Sequence, residues 1–250
     1  MEARYGRLAL SSASGFILLA LLGLAATAWT YLGAQPMAMM ASSSGLDATD
    51  LVLFTATWTV MMAAMMFPSV APVVLVYSNH ARRQSTAWIV RTALFVGGYL
   101  VTWAGFGVVA FFLASVLSPV LGSLPWAMDH PELLVGPAIL LAAIYQLTPL
   151  KDRCLSHCRS PIHWVLHGFR PGASGALAMG VTEGVFCVGC CVGLMVVLFA
   201  VGLASLAWMA LVAAVIFVEK VLAPTRRVSR VVSAGLAVLG LFIAVTGSMP

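Results

Sequence analysis

Seven apolar runs divide the chain, at about residues 8–32, 51–77, 92–117, 133–147, 173–201, 204–221 and 228–245, with short polar stretches between them. A helix needs ~20 apolar residues to cross a hydrocarbon core ~30 Å thick. Lipid offers no hydrogen bonds, so a spanning segment must satisfy its own backbone. The pattern predicts an all-α, polytopic transmembrane bundle of about seven spans, forming one integral membrane domain over residues 1–250. The first run is too long for the apolar core of a signal peptide and has no clear small-residue cleavage site, so it is expected to remain as an anchor. The connections are too short for a soluble module.

Charge orients these spans. With the N-terminus in the cytoplasm and the spans alternating, the inner segments carry Arg4 and Arg7, then Arg82, Arg83 and Arg91, then Lys151, Arg153, Arg159 and Arg170, and finally Lys220, Arg226, Arg227 and Arg230. All 13 Lys and Arg are thereby inside, and the outer loops, one of them with Asp129, His130 and Glu132, hold none. That asymmetry is the positive-inside signal. Composition agrees, since 62% of residues are hydrophobic and only 8% charged, which no soluble domain of this length requires. The net charge of +5 is scattered in short clusters between apolar runs and does not point to nucleic acid. Membrane lipid is the expected surrounding partner. Five cysteines, an odd number without a secreted-domain context, do not suggest a disulfide framework.

Candidate chemistry lies in three places. In the fifth run, Glu183, Cys187, Cys190 and Leu194 share one helical face at ~100° per residue, flanked by Cys191 and Met195. Soft sulfur ligands with one acid on a buried stripe point to a metal, with Cu(I) the first expectation. Ligating thiols must lose their protons, so Glu183 suits a proton acceptor or a ligand, the alternative being a protonated acid hydrogen-bonded across helices. A disulfide between adjacent Cys190 and Cys191 fits a regular helix poorly. Gly180, Gly184, Gly189 and Gly193 give the same helix small-xxx-small spacing for close contact. In the second run, Met61, Met62, Met65 and Met66 pair one turn apart and end at Pro68, which frees a carbonyl one turn earlier. Both clusters fall ~16–27 Å from the cytoplasmic ends of their helices at ~1.5 Å per residue, so one shared Cu(I) site is possible. Core packing is the competing explanation for each.

The third place is the longest basic loop. Cys154, His157 and Cys158 have i, i+3, i+4 spacing, so one helical turn presents two thiols and an imidazole, which suit copper or zinc. On the outer side, Met37, Met39 and Met40 offer thioethers that resist disulfide chemistry. From outside to inside the groups run from Met loop to Met and Cys clusters to Cys-His-Cys, an order that suits inward passage of Cu(I).

These stretches together resemble a bacterial family of predicted metal-binding integral membrane proteins, a domain of unknown function sometimes labelled copper chaperone. The resemblance rests on Met61 through Pro68, Tyr145 through Pro161, and Gly184 through Met195 running on to Trp208, Met209, Glu219 and Lys220, and covers roughly residues 50–222. Val192 stands where the family commonly has Trp after its paired cysteines. The resemblance implies metal binding, with copper as the metal, and a bacterial inner (cytoplasmic) membrane location. It also implies an association with the loading of membrane copper enzymes. No nucleotide motif, Ser/His/Asp arrangement or ATPase signature is visible, so no catalytic residue is assigned. The expected function is Cu(I) transfer or delivery to membrane or cytoplasmic clients, such as a membrane copper enzyme or a copper carrier. The rivals are an intramembrane thiol oxidoreductase cycling Cys190 and Cys191, and a structural subunit of a membrane complex whose sulfurs are merely packed.

Overall fold

The computed structural model describes residues 12–34, 47–201, 205–222 and 226–247. Arg4, Arg7, Met37, Met39 and Met40 lie outside the described residues. In chain order the helices are α1 (Ser12–Ala34), α2 (Ala48–Gln84), α3 (Trp88–Gly122), α4 (Pro125–Asp129), α5 (Glu132–Tyr145), α6 (Pro149–Arg159), α7 (Pro161–Gly168), α8 (Gly172–Val201), α9 (Leu206–Phe217) and α10 (Arg226–Thr246). A π-helical turn, Val218–Leu222, continues α9. The described residues contain no strand, and the fold is an all-α bundle.

Five helices, α1, α2, α3, α8 and α10, are long and apolar enough to cross a membrane. The fourth expected span takes another form. α5 has 14 residues, or ~21 Å at ~1.5 Å per residue, short of the ~30 Å a span needs. It meets α6 at a bend of 61°, and the two together pass as a sixth, broken span. The bend has a local cause. Pro149 lacks an N–H and disfavours helical backbone in the residue before it. Thr148 is extended there and caps α6 by accepting from the Lys151 amide. The stretch expected as a basic loop is therefore largely helical, and its Lys151, Cys154, Leu155 and Cys158 are buried.

The bundle has the polarity of a protein surrounded by apolar solvent. Leu19, Val231, Val238 and Val245 are exposed on α1 and α10, whereas Lys151, Glu183, Glu219 and Lys220 are buried. Large exposed apolar area combined with buried charge is the reverse of a soluble surface and is consistent with a membrane protein.

α8 is the element around which the site is built. It packs along α3 on one side and on α5 and α6 on another. The glycines on α8 divide between these neighbours. Gly180 and Gly184 face α3, against the Phe95 carbonyl and the Thr102 side chain. Gly189 and Gly193 face the bend, where an added Cβ would sit 2.6 Å from Cys154 Sγ and 2.8 Å from the Tyr145 ring. The small-residue spacing thus lets two elements approach α8 closely.

α2 packs on α1 and α3 and runs unbroken through Pro68 and Pro72. Pro68 cannot donate to the Ala64 carbonyl, and the Trp29 indole of α1 donates to it instead at 3.1 Å. The carbonyl freed by the proline is thereby satisfied by a neighbouring helix.

Candidate metal centre

Three thiols converge on one turn of α8. The sulfur atoms of Cys187, Cys190 and Cys191 all lie within 4.8 Å of one another, and the three residues are 0%, 3% and 1% exposed. The helical period brings this about, because residues three and four apart share a face. The Cys190 and Cys191 thiols each donate to the Cys187 carbonyl, at 3.1 and 2.9 Å. All five cysteines of the chain are unpaired and buried.

Other elements complete the surroundings. From α3, the Tyr99 hydroxyl shares a 3.0 Å hydrogen bond with Cys187 Sγ. From the π turn, Lys220 Nζ donates to the same sulfur at 2.9 Å. From α6, Cys158 is a neighbouring thiol of Cys190, and Cys154 Sγ lies against Gly189. The Tyr145 hydroxyl at the end of α5 donates to the Gly189 carbonyl, which ties the bend to the cysteine turn.

Glu183 is buried one turn before Cys187, with Oε2 3.5 Å from His157 Nε2. That distance makes an ion-pair contact too long for a good hydrogen bond, and both atoms lack a hydrogen-bond partner. The His157 ring stacks on Phe186 with centroids 3.7 Å apart and planes at 13°. Cys154, His157 and Cys158 therefore do not converge on one point. The first meets Gly189, the second Glu183 and Phe186, and the third Cys190. The inner Cys-His-Cys stretch is folded against the membrane cysteines, so thiols expected as two separate groups are neighbours.

Met61, Met62, Met65, Met66 and Met195 are all buried in the core that also contains the cysteines. α2 and α8 meet where Trp58 stacks on Phe199, with centroids 5.3 Å apart. One turn along α2 from that contact are Met61 and Met62, and one turn back along α8 is Met195. Apart from carbonyls of α8 itself, the hydrogen-bond partners described for the three thiols are Tyr99 of α3 and Lys220 of the π turn.

Sequence reasoning missed the buried charges around this turn. Lys151 and Lys220 had the pattern of topology signals, yet both are buried. Lys151 Nζ pairs with Glu219 Oε2 at 2.7 Å, with the two side chains 1% and 2% exposed. Arg159 Nε donates to the Glu219 carbonyl at 2.8 Å. Consecutive residues on an α-helix point ~100° apart. Here the wider π turn carries both Glu219 and Lys220 inward, a distortion common at functional sites. The signal that was available is an acid and a base side by side at the end of an apolar run. Tyr99 had no signal beyond its place in an apolar helix.

Chemically, the donor set is soft, apolar-walled and closed to bulk water, which suits a thiophilic ion such as Cu(I) better than a hard cation. Residues 55–243 match the family model PpoB2, described as "Copper chaperone". No curated protein and no solved structure matches the chain.

Proposed function

Because the chain belongs to the PpoB2 copper chaperone family, we propose that it binds Cu(I) as cargo at the cysteine turn of α8 and passes it to a client. The observation that carries this is the convergence of Cys187, Cys190 and Cys191 within 4.8 Å in a fully buried setting. These three are the primary ligands, with Cys158 next to Cys190 as the adjoining thiol. Met61, Met62, Met65, Met66 and Met195 supply the thioether-rich wall. Metal binding removes thiol protons, and a buried anionic sulfur needs a compensating charge. Lys220 on Cys187 Sγ supplies it. Glu183, one turn before Cys187, and His157 beside it form an acid–base pair close to the cysteine turn.

The setting is the inner (cytoplasmic) membrane of a bacterium with the N-terminus inside. The client is a membrane copper enzyme or a copper carrier that meets the bundle from either side. Zinc at Cys154, His157 and Cys158 is the weaker assignment, because these donors point to three different neighbours on α8.

Elemental analysis of protein purified from copper-replete cells tests this. The wild type should carry copper, with sulfur ligands in its X-ray absorption spectrum, and Cys187→Ser/Cys190→Ser/Cys191→Ser should lose it. A wild type without copper, or a triple variant that keeps it, ends the proposal. One observation favours a second function, a thiol oxidoreductase. Lys220 donating to Cys187 Sγ would counter the charge of a thiolate formed there during thiol–disulfide exchange. That function would need no metal and would show a disulfide among the three cysteines on mass analysis.

A further inference from the structure

α10 begins with Arg226, Arg227 and Arg230 in its first five residues and has no acid in its first turn. The first amides of a helix have no intrahelical acceptor, and the macrodipole there is positive. Three cations are therefore of the wrong sign for this helix end, and an anion would relieve them. Beside this end lies a cavity of about 280 Å³, lined by Gln146, Leu147, Asp152, Arg226, Ser229 and Arg230. Gln146 and Ser229 are 2% and 3% exposed. Neither amide atom of Gln146 has a hydrogen-bond partner, nor has the Ser229 hydroxyl. Buried polar groups are normally satisfied, so three unpaired atoms at one cavity imply something that pairs with them.

The charge of the lining says what that is. The Asp152 carboxylate is already engaged by Arg226 Nη2 at 2.9 Å. Arg230 then leaves the lining net positive, with an amide and a hydroxyl able to donate. A cation is disfavoured and an apolar chain would leave the polar atoms unpaired. The volume is near the lower end of ligand pockets, ~300 Å³, which suits a headgroup or a small ion. The three arginines are also among the residues that the charge asymmetry assigns to the inner face, where membranes carry anionic lipid.

We propose that this cavity binds a phosphate group, with the Gln146 amide and Ser229 hydroxyl as donors and Arg230 as counter-charge at the N-terminus of α10. The phosphate comes from an anionic lipid headgroup or from free inorganic phosphate. The site is separate from the cysteine turn and does not depend on copper.

The test uses the full chain purified in detergent. One arm titrates inorganic phosphate against chloride at matched ionic strength and follows the thermal unfolding midpoint. The other arm exchanges in phosphatidylglycerol or phosphatidylcholine of the same acyl chains and counts retained lipid by native mass spectrometry. A midpoint raised by phosphate alone assigns the free ion. Phosphatidylglycerol retained at least ~fivefold over phosphatidylcholine assigns the lipid, as expected for charge-assisted hydrogen bonds. Either effect should fall by at least ~fivefold in Arg230→Gln and in Ser229→Ala. It should persist in Arg227→Gln, which alters an exposed arginine outside the cavity lining. Copper content should not change in any of them. If neither phosphate nor phosphatidylglycerol differs from its control, the proposal is overturned. The same holds if Arg227→Gln matches Arg230→Gln, because diffuse charge alone then explains the effect.

Discussion

Lys151 and Glu219 show what a single buried charge does to this protein. Their 2.7 Å pair is sealed from solvent, and each charge depends on the other. Removing one partner of such a pair leaves an uncompensated buried ion, at a cost of about 3–5 kcal/mol. Lys151→Met should therefore lower the unfolding midpoint sharply in detergent, and adding Glu219→Gln should recover much of the loss. If the single and double variants unfold alike, the pair is not the anchor of α6 on the π turn. At this scale the cysteines were legible and the lysines were not. A three- and four-residue spacing on a helix places Cys187, Cys190 and Cys191 on one face before anything else is known. A lysine between apolar runs looks the same in sequence whether it lies at the membrane surface or points into the core.

Helices here are positioned by where side chains are absent. Gly97 and Gly98 are neighbours on α3 with opposite surroundings. A Cβ at Gly97 would meet nothing within 4 Å, whereas one at Gly98 would run into the Leu177 carbonyl of α8. Gly97→Ala should be neutral or stabilising, by up to about 1 kcal/mol, because alanine is the better helix former. Gly98→Ala should push α3 from α8 and cost about 1–3 kcal/mol, as overpacking does. Equal midpoints for the two variants would refute the close α3–α8 contact. The small-xxx-small spacing on α8 announced a close contact, but which partner met which glycine was not in the spacing. The α5–α6 bend was similar. Thr148 and Pro149 are visible as a cap and a breaker, yet hydropathy sums apolar residues without saying where the axis turns.

For the whole molecule, the property to test is its orientation in the bilayer. With seven alternating spans, the charge asymmetry predicts His130 outside and Arg227 inside. Because the native thiols are buried, a cysteine introduced at an exposed position should label first. A membrane-impermeant maleimide should modify His130→Cys in intact spheroplasts and Arg227→Cys only after lysis. The reverse result would invert the bundle. The asymmetry requires the run at residues 204–221, which forms the 12-residue α9 and the π turn, to cross as a seventh span, because only seven alternating spans keep every Lys and Arg inside.

The all-α architecture, the positions of the five long apolar helices and the sulfur-bearing faces were determined by the sequence alone. Hydrophobic runs and helical periodicity are local properties, readable within a window of about 11–18 residues. Only the tertiary structure decided what gathers around the cysteine turn. Tyr99 lies 88 residues from Cys187 and Lys220 lies 33 away. Cys158 reaches Cys190 because the chain bends at Thr148 and turns α6 against α8. No local period encodes such meetings. They follow from which glycines let two helices touch, and from the need of each buried charge for a partner.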